Sequence, residues 1–232
     1  MRRSFDAEIL DDPNVPEEIL ARARLSLTAT HRFLGNTACI LSALSNGPVR
    51  SVLDVGCGGG GLLVEIRRQL GVEVIGVDLR PPAASGCPVP ILSANAVCDP
   101  LPYSDVAISV MLAHHLTDQD LTRLIQNVGR YCPRLILLDP VRHLVPLALF
   151  RIGMYPFLNR VNAKDGALSV ARSYTAGEFK AIAIRALEGT AAKISHTVAP
   201  FYVRQVLDIR YSPDSIFQSK DDPETGFDSN TG

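Results

Sequence analysis

The chain has 232 residues, 47% of them hydrophobic and 20% charged, with a formal net charge of -1. This length can bury one substantial core and is short for a two-domain dehydrogenase, and the near-neutral balance offers no strongly basic face to nucleic acid. The five cysteines (Cys39, Cys57, Cys87, Cys98, Cys132) form no CxxC pair and no metal-ligand spacing, so no metal is expected; no apolar signal segment opens the chain, which makes a reduced cytoplasm the expected setting.

Residues 1 to 15 are polar and carry the turn-like Asp11-Asp12-Pro13-Asn14, so they read as an ordered arm at best. A helix is expected from Pro16, where Glu17 and Glu18 suit the helix dipole and Leu20, Ala23, Leu27, His31 and Leu34 recur along one face until Gly35. A second helix from Asn36, with Ile40, Leu41 and Leu44 inward, stops at Gly47-Pro48. Residues 1–47 thus precede the sheet, and their helices either cover a site or simply pack.

The stretch Ser51 to Leu63 turns a buried strand into a helix through a loop almost without side chains. Glycines there allow positive φ and close approach, and the helix start offers unpaired N–H groups to an electron-rich ligand. Gly56-x-Gly58-x-x-Gly61, with Asp78 further on, satisfies the dinucleotide fingerprint. Asp54, two residues before the first glycine, argues against that reading. Two opposite charges about 5 Å apart at an effective dielectric near 20 attract by roughly 3 kcal/mol, so this carboxylate disfavours a pyrophosphate and favours a cation by that order. S-adenosylmethionine carries an ammonium and a sulfonium. Asp54-x-Gly56-x-Gly58-x-Gly60 after an apolar strand resembles the first motif of the class I S-adenosylmethionine-dependent methyltransferases.

Further on, strand and helix alternate, which argues for a mostly parallel α/β sheet with helices on both faces. Strands are expected at Val52–Val55, Val72–Val77, Val89–Leu92, Val106–Met111 and Leu135–Leu138, with a closing pair around Pro200. The resemblance implies a Rossmann-like, seven-stranded sheet in the order 3-2-1-4-5-7-6, over residues 48–210. Asp78 ends the second strand, where a carboxylate can accept both ribose hydroxyl protons. Pro81, Pro82, Gly86 and Pro88 follow, so the usual next helix must be short or missing. Asn95 stands where relatives often carry an acid that accepts from the adenine amino group. Its amide oxygen can make that bond without charge assistance. Together the resemblance implies Asp54, Gly56, Cys57, Gly58, Gly60, Asp78, Leu79, Asn95, Ala96 and Met111 as cofactor contacts.

Ala113-His114-His115-Leu116 resembles the Leu-His-His-Leu element of the ubiquinone and menaquinone C-methyltransferases, and makes His114 and His115 candidate bases because imidazole titrates near neutrality. The pair is also widespread in members that need no base. Residues 144–158 are almost wholly apolar, yet two prolines, a glycine and Arg151 make them too short and broken to span a bilayer, so no stable membrane insertion is expected. Placed between strand five and the helix capped by Thr175, residues 141–175 are expected to form a lid. His143, Phe150, Met154, Tyr155, Arg172 and Tyr174 would then meet a small apolar or aromatic acceptor, with Leu147 and Phe157 beside them. A homodimer contact is the other use of such a segment. Leu10-Asp11-Asp12-Pro13, His31-Arg32-Phe33-Leu34-Gly35 and Asp165-Gly166-x-x-Ser169-x-x-Arg172-x-x-Thr175 look like a bacterial subgroup of secondary-metabolite methyltransferases. That likeness leaves O- and C-methylation open. A cofactor-binding subunit without activity is the alternative. From residue 211 the chain is polar with Pro, Asp and Gly, and reads as a disordered tail.

Overall fold

The computed structural model describes residues 1–9, 12, 14–82, 88–154, 158 and 160–212. The tail expectation beyond residue 212, Tyr155 and Phe157 lie outside these.

Seven strands form one sheet: β1 (Ser51–Val55), β2 (Glu73–Asp78), β3 (Ile91–Ser93), β4 (Val106–Val110), β5 (Arg134–Asp139), β6 (Lys193–Val198) and β7 (Gln205–Arg210). Their order is β3-β2-β1-β4-β5-β7-β6, as the family resemblance implied. The first five run parallel, and β7 is antiparallel to both β5 and β6. β2 and β3 begin one or two residues later than the sequence suggests. Parallel pairing of Gly76 with Ile91 and Asp78 with Ser93 draws both strands toward their carboxyl ends, and Pro90 has no N–H to extend the ladder backwards.

Alternation along the central strands feeds two cores. Leu53, Val55, Leu135 and Leu137 pack against α4 (Asp118–Val128) and α7 (Ala176–Ala186). Val52, Ile136 and Leu138 turn the other way, onto α2 (Asn36–Leu44) and α3 (Gly61–Leu70). Each fully buried Leu or Ile contributes on the order of 1.5–3 kcal/mol, so these strands are held from both faces. Asp54 shares the Val52 face and is buried there beside α3.

Helix α1 (Glu17–Phe33) lies before α2, and Gly35 at φ 73 makes the sharp turn between them. Residues 141–175 fold into α5 (Leu144–Gly153) and α6 (Arg160–Arg172), packed on one another. Pro146 falls in the first turn of α5, where its missing N–H costs no helical bond, and the His143 ring nitrogen caps the helix by accepting from Val145 N at 3.1 Å. Gly166 in α6 sits where the Phe150 ring lies, which lets the two helices approach closely. No helix among the described residues separates β2 from β3.

Candidate active site

The glycine loop runs from β1 into α3 with Gly56, Gly58 and Gly60 all in the left-handed region. Gly56 N and Cys57 N both donate to Val77 O, at 2.8 and 3.2 Å, so the loop is tied to β2. Gly58 N donates to Asp78 Oδ2 at 2.8 Å, and Asp78 Oδ1 accepts from Arg80 N at 2.8 Å. A side chain at Gly58 would meet open space, so its φ of 55° is what demands glycine. At Gly61 the demand is steric, because an added Cβ would lie 2.5 Å from Thr28 Oγ1 of α1. Thus α1 closes down on the loop. Asp54 is pushed up to about 7 by its burial and then by Asp78. A cation placed beside it would restore the carboxylate, whereas a pyrophosphate would oppose it. The cradle fits S-adenosylmethionine on these grounds.

Gly76 supports the loop from below. A Cβ there would run into Cys57 Sγ and come within 3.1 Å of Leu63 Cδ1. Gly76→Ala should therefore displace the loop and weaken S-adenosylhomocysteine binding about fivefold or more, since overpacking costs ~1–3 kcal/mol, although residue 76 lies in β2 and not in the loop itself. Calorimetric titration checks this, and unchanged affinity would show that the loop does not depend on this packing.

Two cavities meet above the carboxyl edge of the sheet. One, of about 250 Å³, is lined by Asp54, the loop from Gly56 to Gly59, Thr28, Val110, His114 and His115. The other, of about 590 Å³, lies between the end of α1, α5, α6 and the turn before β7, and is walled by Phe33, Leu34, Leu138, Leu149, Phe150, Met154 and Val203. Glu8, His31, Asn36, Met111 and Ser169 line both. Met111 holds φ 61, a strained value for a side chain of its size, with its N–H on Leu138 O at 2.8 Å.

An ion network stands at this junction. His114 Nδ1 donates to Asp139 Oδ1 at 2.9 Å, and its Nε2 faces Glu8 Oε1 at 3.5 Å. Burial would drive this imidazole down, but Asp139 and Glu8 overcome it and raise its pKa to about 9. Glu8 is buried, which alone would raise its pKa; the neighbouring histidines and Ser169, whose Oγ donates at 2.8 Å, hold it below the usual range. His114 is therefore an imidazolium with both nitrogens protonated, which corrects its expected role as a base. His115 Nε2 lies 3.9 Å from Glu8 Oε2 and lines only the cofactor-side cavity. Glu8, His114 and His115 bring metal-ligand atoms within 4.8 Å of one another, but a protonated His114 and the Arg172 guanidinium 4.0 Å from Glu8 oppose a cation there.

His31 differs from His114. Burial, then the His114 charge, lowers it to about 4, so it is neutral. Arg204 Nη1 donates to Asn36 Oδ1 at 3.0 Å, which turns the Asn36 amide nitrogen onto His31 Nδ1 at 3.1 Å. With Nδ1 accepting, the ring proton sits on Nε2. His31 is a donor and not a base.

The remaining expected residues divide. Phe150 and Met154 line the larger cavity, while Leu147 faces a groove on the other side of α5. Tyr174 is a correction: it is buried in the core, its hydroxyl donates to Leu116 O at 2.9 Å and Arg3 lies 3.7 Å over its ring, so it cannot orient an acceptor. Arg172 stands behind Glu8 and does not line the larger cavity. His143 caps α5 and stacks on Tyr202 at 4.3 Å. Asp78, which ends β2, and Leu79, Asn95 and Ala96, which follow β2 and β3, lie outside both cavities; Leu79 is exposed, Asn95 Oδ1 accepts from Val97 N at 3.1 Å, and Ala96 O accepts from Asn127. Sequence reasoning missed Glu8, Asn36 and Arg204, and took His31 as part of a helix face and of a subgroup motif but not as a site residue. The signal for His31 was a polar ring on an apolar stripe. Glu8 sits in a polar arm that gives none.

Sheet order, loop and acidic strand ends define a class I S-adenosylmethionine-dependent methyltransferase. The chain belongs to the methyltransferase domain family, whose model matches residues 24–185. No curated protein matches it at the level of sequence. Among solved structures it is similar to the plantazolicin methyltransferase BpumL in complex with S-adenosylhomocysteine, with TM-score 0.63 and 14% identity over 86% of this chain and 92% of that one. It is also similar to the methyltransferase domain of bacterial CtHen1, at 0.57 and 14% over 76% and 96%. Magnesium protoporphyrin IX methyltransferase from Synechocystis PCC 6803 gives 0.52 and 19% over 87% and 90%.

Proposed function

We propose that the chain methylates a hydroxyl oxygen on a small acceptor with a largely apolar or aromatic body, held in the larger cavity under α5 and α6. The observation that carries this reading is the shared lining of the two cavities by Glu8, His31, Asn36, Met111 and Ser169. Methyl transfer needs donor and acceptor in line with water kept out, and only such a junction allows it. S-adenosylmethionine supplies a methyl carbon already activated by the sulfonium. Glu8, held ionised, accepts a hydrogen bond from the acceptor hydroxyl, and the His31 Nε2–H donates one to the same oxygen. As the O–CH3 bond forms and the C–S pair leaves with sulfur, the hydroxyl becomes strongly acidic and its proton passes to Glu8. A weak base is then sufficient. The apolar walls from Leu149, Phe150 and Met154 select the body of the acceptor.

The test is a screen of phenolic, quinone-like and fatty carboxylate acceptors with labelled cofactor, repeated on Glu8→Gln and Phe150→Ala. Glu8→Gln should lower turnover about 10²-fold with S-adenosylhomocysteine affinity nearly intact. Phe150→Ala should change acceptor preference. Undiminished turnover in Glu8→Gln would remove Glu8 from the proton path, and transfer to no acceptor by the parent protein would favour a cofactor-binding subunit without activity.

A further inference from the structure

The mouth of the larger cavity opens through an unusual surface. Phe33 and Leu34 at the end of α1, Leu149 on α5 and Val203 before β7 line the cavity and are also exposed to solvent. Around them stand Leu144, Val145 and Ile152 of α5 and the turn residues Phe201 and Tyr202, with Phe33 and Ile152 each 78% exposed and Phe201 70%. The turn packs against α5, and the His143 ring stacks on Tyr202, so these side chains form one face. Phe201 and Tyr202 both hold φ 57, a left-handed value that aromatic residues adopt only at a cost, and Phe201 projects outward from it. A soluble surface has no use for a strained turn that presents an aromatic ring to water.

The charge on this face is one-sided. Residues 30–35, 143–154 and 199–204 contain Arg32, Arg151 and Arg204 and no Asp or Glu, in a chain whose overall charge is only -1. Arg151 borders the exposed apolar side of α5, and the groove behind it adds Lys164, with Asp6 the one acid lining that groove among the described residues. Arg32 sits at the far border, within electrostatic reach of Glu65, and Arg204 is engaged with Asn36 and Leu34 O. Exposed apolar side chains with a cationic rim match the boundary between anionic headgroups and acyl chains. A second copy would set like charge against like charge. With ten residues, α5 rises about 15 Å, half the thickness of a hydrocarbon core, so it can lie in the interface and cannot span it.

We propose that this face docks on an anionic lipid bilayer and that the acceptor, a lipophilic molecule partitioned into the bilayer, enters the cavity directly from the lipid phase. This rests on the larger cavity being the acceptor site, but its test does not use an acceptor. The chain contains no tryptophan, so Phe201→Trp and, separately, Ile152→Trp each place a single reporter on the face. Full-length protein is mixed with phosphatidylcholine vesicles with and without phosphatidylglycerol, including lipids brominated on the acyl chain. The expected result is a blue-shifted emission, quenched by the bromines, on anionic vesicles only and weakened by salt. Adding Arg151→Glu should lower the partition coefficient roughly fivefold or more, while S-adenosylhomocysteine affinity, unchanged in all variants, certifies the fold. No shift from either reporter on any vesicle would overturn the proposal. An equal shift on neutral vesicles would remove its electrostatic part, and a shift that grows with protein concentration without vesicles would assign the face to a dimer instead.

Discussion

Asp78→Ala lowers affinity for S-adenosylhomocysteine by a factor of ten or more. Asp78 ends β2 with one carboxylate oxygen on Gly58 N and the other on Arg80 N, so it already shapes the glycine loop before any ligand arrives. A ribose at this edge would donate its hydroxyl hydrogen bonds to the same carboxylate. Losing charge-assisted bonds of this kind costs about 1.5–3 kcal/mol, and releasing Gly58 from its anchor adds to that loss. Asp78→Asn separates the two contributions, because the amide keeps one acceptor oxygen for the loop and gives up the charge. The measurement is isothermal titration of both variants. An unchanged dissociation constant in Asp78→Ala would move the ribose away from this strand end and leave the loop without its expected partner.

The protein loses stability between pH 7 and pH 9, and the loss traces to His114. In the folded chain this imidazole keeps its proton to about pH 9 because Asp139 and Glu8 outweigh its burial. In the unfolded chain it releases the proton near 6.5. Its stabilising contribution is therefore complete below 6.5 and fades as pH rises through the folded value, because the unfolded state then binds fewer protons. Other shifted groups overlap the edges of this range: the Cys132 thiol, pushed up to about 12 by burial, and the Cys98 thiol, also raised, add a fall of the same sign near pH 9. His31, lowered to about 4, costs stability only as pH falls below 6.5, and Asp54, raised to about 7, completes its change only by about pH 8. Urea midpoints at pH 7, 8 and 9 measure the slope. His114→Gln should flatten it and, by leaving Asp139 buried without its cation, cost about 3–5 kcal/mol at pH 7. Asp139 Oδ2 already lacks a partner among the described residues, so little remains to compensate the charge. A slope undiminished in His114→Gln would place the titration elsewhere.

The two results also distinguish positions that resemble each other in sequence. His114 and His115 are adjacent and both looked like bases, yet one is clamped between carboxylates from a strand and from the N-terminal arm while the other lies along the cofactor side. Arg3 provides a similar case. It bonds to Arg172 O at 2.6 Å and Leu116 O at 2.9 Å, fastening the arm over Tyr174 and setting Glu8 into the junction. Ile9 N on Asp165 Oδ1 at 2.9 Å closes the other end of that arm.

The chain's class and sheet were legible from its sequence because their signals are local. A run such as Ser51-Val52-Leu53-Asp54-Val55 followed by glycines can only be a buried strand ending in a tight loop, and each later strand carries its own apolar stretch. The Thr175 capping box, with Glu178 three residues on, was equally local and forms as read. What tertiary structure decided are pairings over long chain separations. Glu8 meets Ser169 across 161 positions and Arg204 meets Asn36 across 168, and no periodicity or spacing records either. Tyr174 looked like a site residue because it stands in a polar run, but an arginine from the far end of the chain covers it and the core claims its hydroxyl. Backbone propensity and apolar alternation act within a few residues and so are written along the chain. The charge state and hydrogen-bonding role of a buried side chain depend on whichever groups folding brings within about 4 Å, and the sequence does not order those by distance.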